Sequence, residues 1–131
     1  MYYRNSSYYF LIFIVVGLFS LIGAVFAQKA IRKNQDAYLI ARMQETQDDI
    51  IFHKSAYQDM AKACFSGEVS LLNIDLNYDL GNYASCFLSK DKKHLALVAE
   101  LSSGEKYCVD TEGHRAYLNS EDKVRGYCLE T

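Results

Sequence analysis

The chain has 131 residues, with 16 acidic and 14 basic side chains, a formal net charge of −2, eleven tyrosines, four cysteines and no proline. No block of like charge occurs, so neither the basic footprint of a nucleic-acid binder nor a polyanionic tail is present. About a hundred residues follow the apolar stretch near the N-terminus, enough for one small domain but not for two, and a core of that size commonly needs covalent help.

Residues 1–9 form a short polar stub with one basic side chain, Arg4, which suits either the n-region of a signal peptide or the cytoplasmic end of an anchor. Residues 10–27 carry no charge and one hydroxyl, that of Ser20. About 20 apolar residues cross a hydrocarbon core of ~30 Å, and Tyr8 and Tyr9 suit the headgroup layer. The stretch therefore predicts the transmembrane half of a helix, with Phe10, Ile14, Val16, Leu18, Leu21 and Val25 facing lipid or neighbouring helices. Val25, Phe26 and Ala27 resemble a signal-peptidase site, but the apolar run exceeds the usual h-region of ~7–15 residues, so we expect it to be retained. Orientation is contested. Lys29, Arg32 and Lys33 follow the stretch, and charge counting would keep the remainder in the cytoplasm. The cysteines point outside it.

Residues 28–64 read as the amphipathic half of the same helix. Leu39, Met43, Ile50, Tyr57, Met60 and Cys64, with His53 among them, recur at helical steps, and Ile40 and Ile51 widen the stripe. Arg42, Glu45, Asp48, Asp49 and Asp59 should face solvent. Tyr38 and Phe52 project near that charged side and are candidate contacts to a neighbouring subunit. A helix running from Phe10 to Cys64 would extend roughly 80 Å at ~1.5 Å per residue. Its stripe needs a partner to bury it.

Residues 65–131 are expected to form a cysteine-tied loop and sheet. Ser66-Gly67 ends the helix, and residues 69–87, with Asn, Asp and Gly among their apolar positions, read as a loop wrapping it. The period then changes to two: residues 94–101, 105–110 and 114–118, separated by turns at Gly104 and Gly113, predict a three-stranded antiparallel meander. The fold class is thus α+β.

Cys64, Cys86, Cys108 and Cys128 all follow the apolar run and include no C-x-x-C pair. Two disulfides outside the cytoplasm are expected. A zinc site drawing on His53, His94 or His114 is the rival, although no histidine stands at finger-like spacing from a cysteine. Of the three possible pairings we expect Cys64–Cys86, clamping residues 65–85 to the helix end, and Cys108–Cys128, fastening a patternless tail to the middle strand. Each closes a loop of about twenty residues, for which chain entropy suggests roughly 3 kcal/mol.

Asp110, Thr111, Glu112, Gly113 and His114 gather acid–base groups, but the composition is that of a polar turn. No phosphate loop, nucleophile elbow or metal-binding helix motif occurs. We therefore expect no catalytic, cofactor or metal site, no small-molecule substrate and no nucleic-acid partner.

An N-terminal membrane helix continuing as a soluble spine, a cysteine just after it, a second before a strand, then Leu-Ser-Ser-Gly-Glu-Lys-Tyr-Cys-Val-Asp-Thr-Glu-Gly at 101–113 and a final cysteine resemble type IV pilin-like proteins. The layout covers most of the chain, and the specific wording is confined to 101–113. The resemblance implies a pilin-like fold and a non-catalytic structural subunit. Such a subunit would be anchored by its helix and would associate with itself or with other pilin-like subunits at the cell surface or in the periplasm. The family's basic leader, its peptidase-site glycine and an early glutamate are absent before Phe10, and the first acidic residue is Asp36. These departures bear on processing by a prepilin peptidase and on a role as the major filament subunit, and they leave a minor pilin, a pseudopilin or a pilin-derived membrane protein within the resemblance. The alternative is a monomeric anchored or secreted binding module with the same architecture.

Overall fold

The computed structural model describes residues 6–57, 59–80, 83–119, 122 and 124–128. It is α+β, with a long N-terminal helix and a four-stranded antiparallel sheet. The chain divides into two units, residues 1–34 and residues 35–131. Helix α1 (Ser6–His53) supplies all of the described part of the first unit. No side chain there from Ser7 to Asn34 is buried.

In the second unit α1 buries Leu39, Met43 and Ile50, three of the stripe positions. The steps between Met43 and Ile50 are filled by Thr46 and Gln47, both buried polar residues, and Gln47 bonds to the carbonyls of Asp110 and His114. Ile51 remains partly exposed and does not widen the stripe. Arg42 is half-buried rather than solvated, because its guanidinium pairs with Asp75 and Glu45.

The helix does not continue to Cys64. It ends at His53, a single 3-10 turn follows at Lys54–Ala56, and Tyr57 is extended. A new helix, α2 (Ala61–Ser66), starts where the Asp59 carboxylate accepts a hydrogen bond from the Ala61 amide at 2.8 Å. Met60 and Cys64 are still buried because α2 packs back against the core. A stripe period alone cannot distinguish one helix from two that share a core.

Residues 68–80 are not a loop. They form α3 (Glu68–Leu80), which buries Val69, Leu72 and Leu76 at steps of three and four. Asn73 secures the next connection, accepting from the Ala84 amide at 2.7 Å and donating to its carbonyl at 3.1 Å. That link leads into β1 (Ser85–Leu88), an additional strand lying within the stretch expected to be loop.

Strands β2 (Leu95–Glu100), β3 (Lys106–Asp110) and β4 (Arg115–Leu118) complete the sheet in the order β1-β2-β3-β4. They match the expected meander to within a residue at each end. Leu97 lies between Cys86 and Val109, and Cys108 between Val98 and Ala116. One sheet face, carrying Leu95, Leu97, Ala99, Tyr107 and Val109, joins α1, α2 and α3 in the main core. The opposite face carries Ala96, Val98, Cys108 and Leu118 under Cys128 and Val124 of the tail. Strand β2 is therefore apolar on both faces, as a central strand covered twice must be.

The tail lies hard against the Ser89 turn. Gly126 has φ +85°, and a Cβ there would stand 2.5 Å from the Ser89 amide nitrogen. Gly126→Ala combines a left-handed backbone with a steric clash and should cost on the order of 3 kcal/mol. Urea denaturation of the full chain in detergent should show an earlier midpoint; an unchanged midpoint would mean the tail is not seated there.

Candidate membrane and assembly site

From Ser7 onward α1 holds an 18-residue window of mean hydropathy 2.8 with none of it buried, which is long and apolar enough to cross a membrane. By length and composition a signal sequence passes the same test. Phe10, Ile14, Val16, Leu18, Leu21 and Val25 are all exposed along this helix. The Ser20 hydroxyl donates to the Val16 carbonyl at 2.9 Å, so the one polar side chain of the stretch is satisfied within its own helix. That suits a hydrocarbon environment, which offers no partner.

In the second unit a series of polar contacts fixes α1 to the turns of the sheet. At one end both Asp36 carboxylate oxygens accept from Ser102, from its amide at 2.8 Å and its hydroxyl at 2.7 Å. Gln44 donates to the Tyr107 hydroxyl. Gln47 donates to the carbonyls of Asp110 and His114 and accepts from Arg115 Nε at 2.6 Å, while Arg115 also reaches Asp48. At the far end Lys54 Nζ pairs with Glu112 at 2.7 Å. That hydrogen bond is the main cause holding the Glu112 carboxyl below its ordinary range, with His94 assisting.

Cys64 and Cys86 are joined, as are Cys108 and Cys128, with Cα separations of 5.9 and 5.5 Å. The first pair ties α2 to β1 and the second ties the tail to β3. Beside the second stands Asp110, whose side chain is shut off from solvent. Oδ1 accepts from the amides of Glu112 and His114, each at 3.0 Å. Oδ2 accepts from the Cys128 amide at 2.9 Å and lies 3.0 Å from His114 Nδ1. Thr111 Oγ1 accepts from the Leu95 amide. The acid–base groups of residues 110–114 are thus committed to holding a turn and a tail, and no group of three His, Cys, Asp or Glu residues able to hold a metal occurs among the described residues.

Tyr57 shows the same use of polar groups at the α1–α2 junction. It donates to Glu68, and this hydrogen bond, with burial and the adjacent charge adding to it, pushes the phenol up to about 12. The raised value favours the neutral phenol in the folded chain. The linked stability is therefore present below pH 10 and lost as pH climbs through about 12. Ultraviolet titration of the native protein should show a late tyrosinate component that Tyr57→Phe diminishes by one residue's amplitude; an undiminished late component in that variant would contradict the assignment.

Of the two residues singled out as subunit contacts, Tyr38 is partly exposed, and Phe52 is 82% exposed with its ring edge-on to His53. Phe65 of α2 and Leu71 and Ile74 of α3 are also open to solvent, and Phe65 and Ile74 line a groove of ≈ 600 Å³ with Tyr83. The steps from Val69 to Leu72 to Leu76 could have revealed α3, had Leu71 and Ile74 not blurred the stripe. No family model, curated protein or solved structure matches the chain.

Proposed function

We propose that this protein is a non-catalytic structural subunit resembling type IV pilins and pseudopilins, anchored by residues 10–27 and associating with other subunits outside the cytoplasm. The observation that carries this reading is α1 itself. A single helix leaves a membrane-length apolar segment uncovered, and further along it serves as the packed spine of a disulfide-tied sheet domain. Two disulfides belong in an oxidising compartment, which supports a domain beyond the membrane. The exposed Phe52, Phe65 and Ile74 supply apolar surface of the kind that neighbouring subunits cover.

Crosslinking intact cells and probing the membrane fraction with antibody to residues 35–131 tests the reading. A ladder of species containing this chain is expected, with the antibody reaching its epitope from outside. A carbonate-extractable monomer would instead favour the secreted module.

A further inference from the structure

Residues 10–27 are followed within two helical turns by Lys29, Arg32 and Lys33, and no acid precedes Asp36. Arg32 and Lys33 stand three and four residues beyond Lys29 on uninterrupted helix, so the three side chains share one face of α1. All three are exposed. Further along the chain cations find carboxylates: Arg42 meets Glu45 and Asp75, Lys54 meets Glu112, and Arg115 meets Asp48. Lys29, Arg32 and Lys33 have no such partner among the described residues. Asp36, one turn beyond Arg32, is the nearest carboxylate in the sequence, and both of its oxygens are taken by Ser102.

Their depth matches the phosphate level of a bilayer. With Ala27 at the edge of the hydrocarbon, Lys29 lies ~3 Å and Lys33 ~9 Å beyond it at ~1.5 Å per residue. The headgroup layer on one side is roughly 5–8 Å thick. Long basic side chains lean along a helix to keep their charges in that layer. There a phosphate offers oxygens to an ammonium, and two at once to a guanidinium. A phosphatidylcholine phosphate is already balanced by its own choline. A headgroup of net negative charge is not, and cations without a partner in the protein favour it.

We infer that residues 29–33 bind the headgroup phosphates of anionic phospholipids, so that the anchor selects the lipid around it as well as its own depth. The inference rests on the reading that residues 10–27 span the bilayer.

The test uses the full chain with Gln28 replaced by photoreactive p-benzoylphenylalanine, reconstituted in equimolar phosphatidylglycerol and phosphatidylcholine. After irradiation, mass spectrometry of the adducts should show phosphatidylglycerol captured about fivefold more than phosphatidylcholine. Lys29→Gln, Arg32→Gln and Lys33→Gln together should bring the two lipids to about equal capture, and added salt should narrow the difference in the unsubstituted face. Equal capture with the three cations present would overturn the inference, as would a preference that survives their replacement. Loss of the preference to inorganic phosphate at matched ionic strength would also overturn it, because the site would then take a free anion. Adducts to a second copy of the chain in place of lipid would overturn it while leaving the anchor and the assembly reading intact. A chain that captures neither lipid nor protein and floats free of the vesicles would overturn the inference and the anchor together.

Discussion

Asp110→Ala is expected to cost the folded domain about 3–5 kcal/mol, the range for breaking a buried, hydrogen-bonded charge site. The carboxylate is the shared acceptor for the amides of Glu112, His114 and Cys128, and its side chain has no solvent exposure. Alanine would leave the Cys128 amide buried without a partner, a cost of about 1–3 kcal/mol by itself. The β3–β4 turn would lose its internal support, and the Gln47 contacts to the Asp110 and His114 carbonyls would loosen with it. Against a total stability of ~5–15 kcal/mol, such a change leaves little margin. Asp110→Asn keeps one carbonyl oxygen and should lose roughly half as much. Chemical denaturation in detergent measures both variants, and hydrogen exchange at the Cys128 amide should rise in each. If Asp110→Ala denatures at the wild-type midpoint, the carboxylate is not the fastener of turn and tail.

The second large effect belongs to the membrane segment. Val16→Lys places an ammonium near the middle of residues 10–27, at a cost of about 3 kcal/mol or more in hydrocarbon. Val16 is exposed on α1, and no side chain of the segment is buried to shelter the charge. The variant should shift from the membrane fraction toward the soluble or degraded fractions. The domain of residues 35–131 contains none of the altered atoms, so its own packing is unchanged. Equal membrane retention of variant and wild type would show that residues 10–27 do not anchor the chain in lipid.

Much of the architecture was legible because its signals were strong and local. An uncharged run of membrane length, strands alternating around Gly104 and Gly113, and Leu39, Met43 and Ile50 on one stripe each report a single element. The sheet-forming stretch at 94–118 was read nearly to the residue for that reason. The break after His53 was hidden because Met60 and Cys64 keep the stripe's spacing, although Met60 stands at the start of a different helix and Cys64 within it. Helix α3 was hidden for the converse reason: exposed Leu71 and Ile74 add apolar residues on the wrong face, so Val69, Leu72 and Leu76 do not stand out. Strand β1 has only four residues and depends on pairing with β2, a long-range contact that no local period reports. The groove between α2 and α3 could not be seen while that region was read as loop. Asp110, noticed as part of a polar turn, has its main role in a bond to Cys128 eighteen residues away.

Whether the protein is a membrane-retained subunit oxidised at both cysteine pairs is decided by its intact mass, taken from the membrane fraction without reductant. The expected chain still contains residues 10–27 and is four hydrogens lighter than its reduced form, two for each of Cys64–Cys86 and Cys108–Cys128. A mature chain beginning at Gln28, or four free thiols in freshly isolated protein, would contradict it.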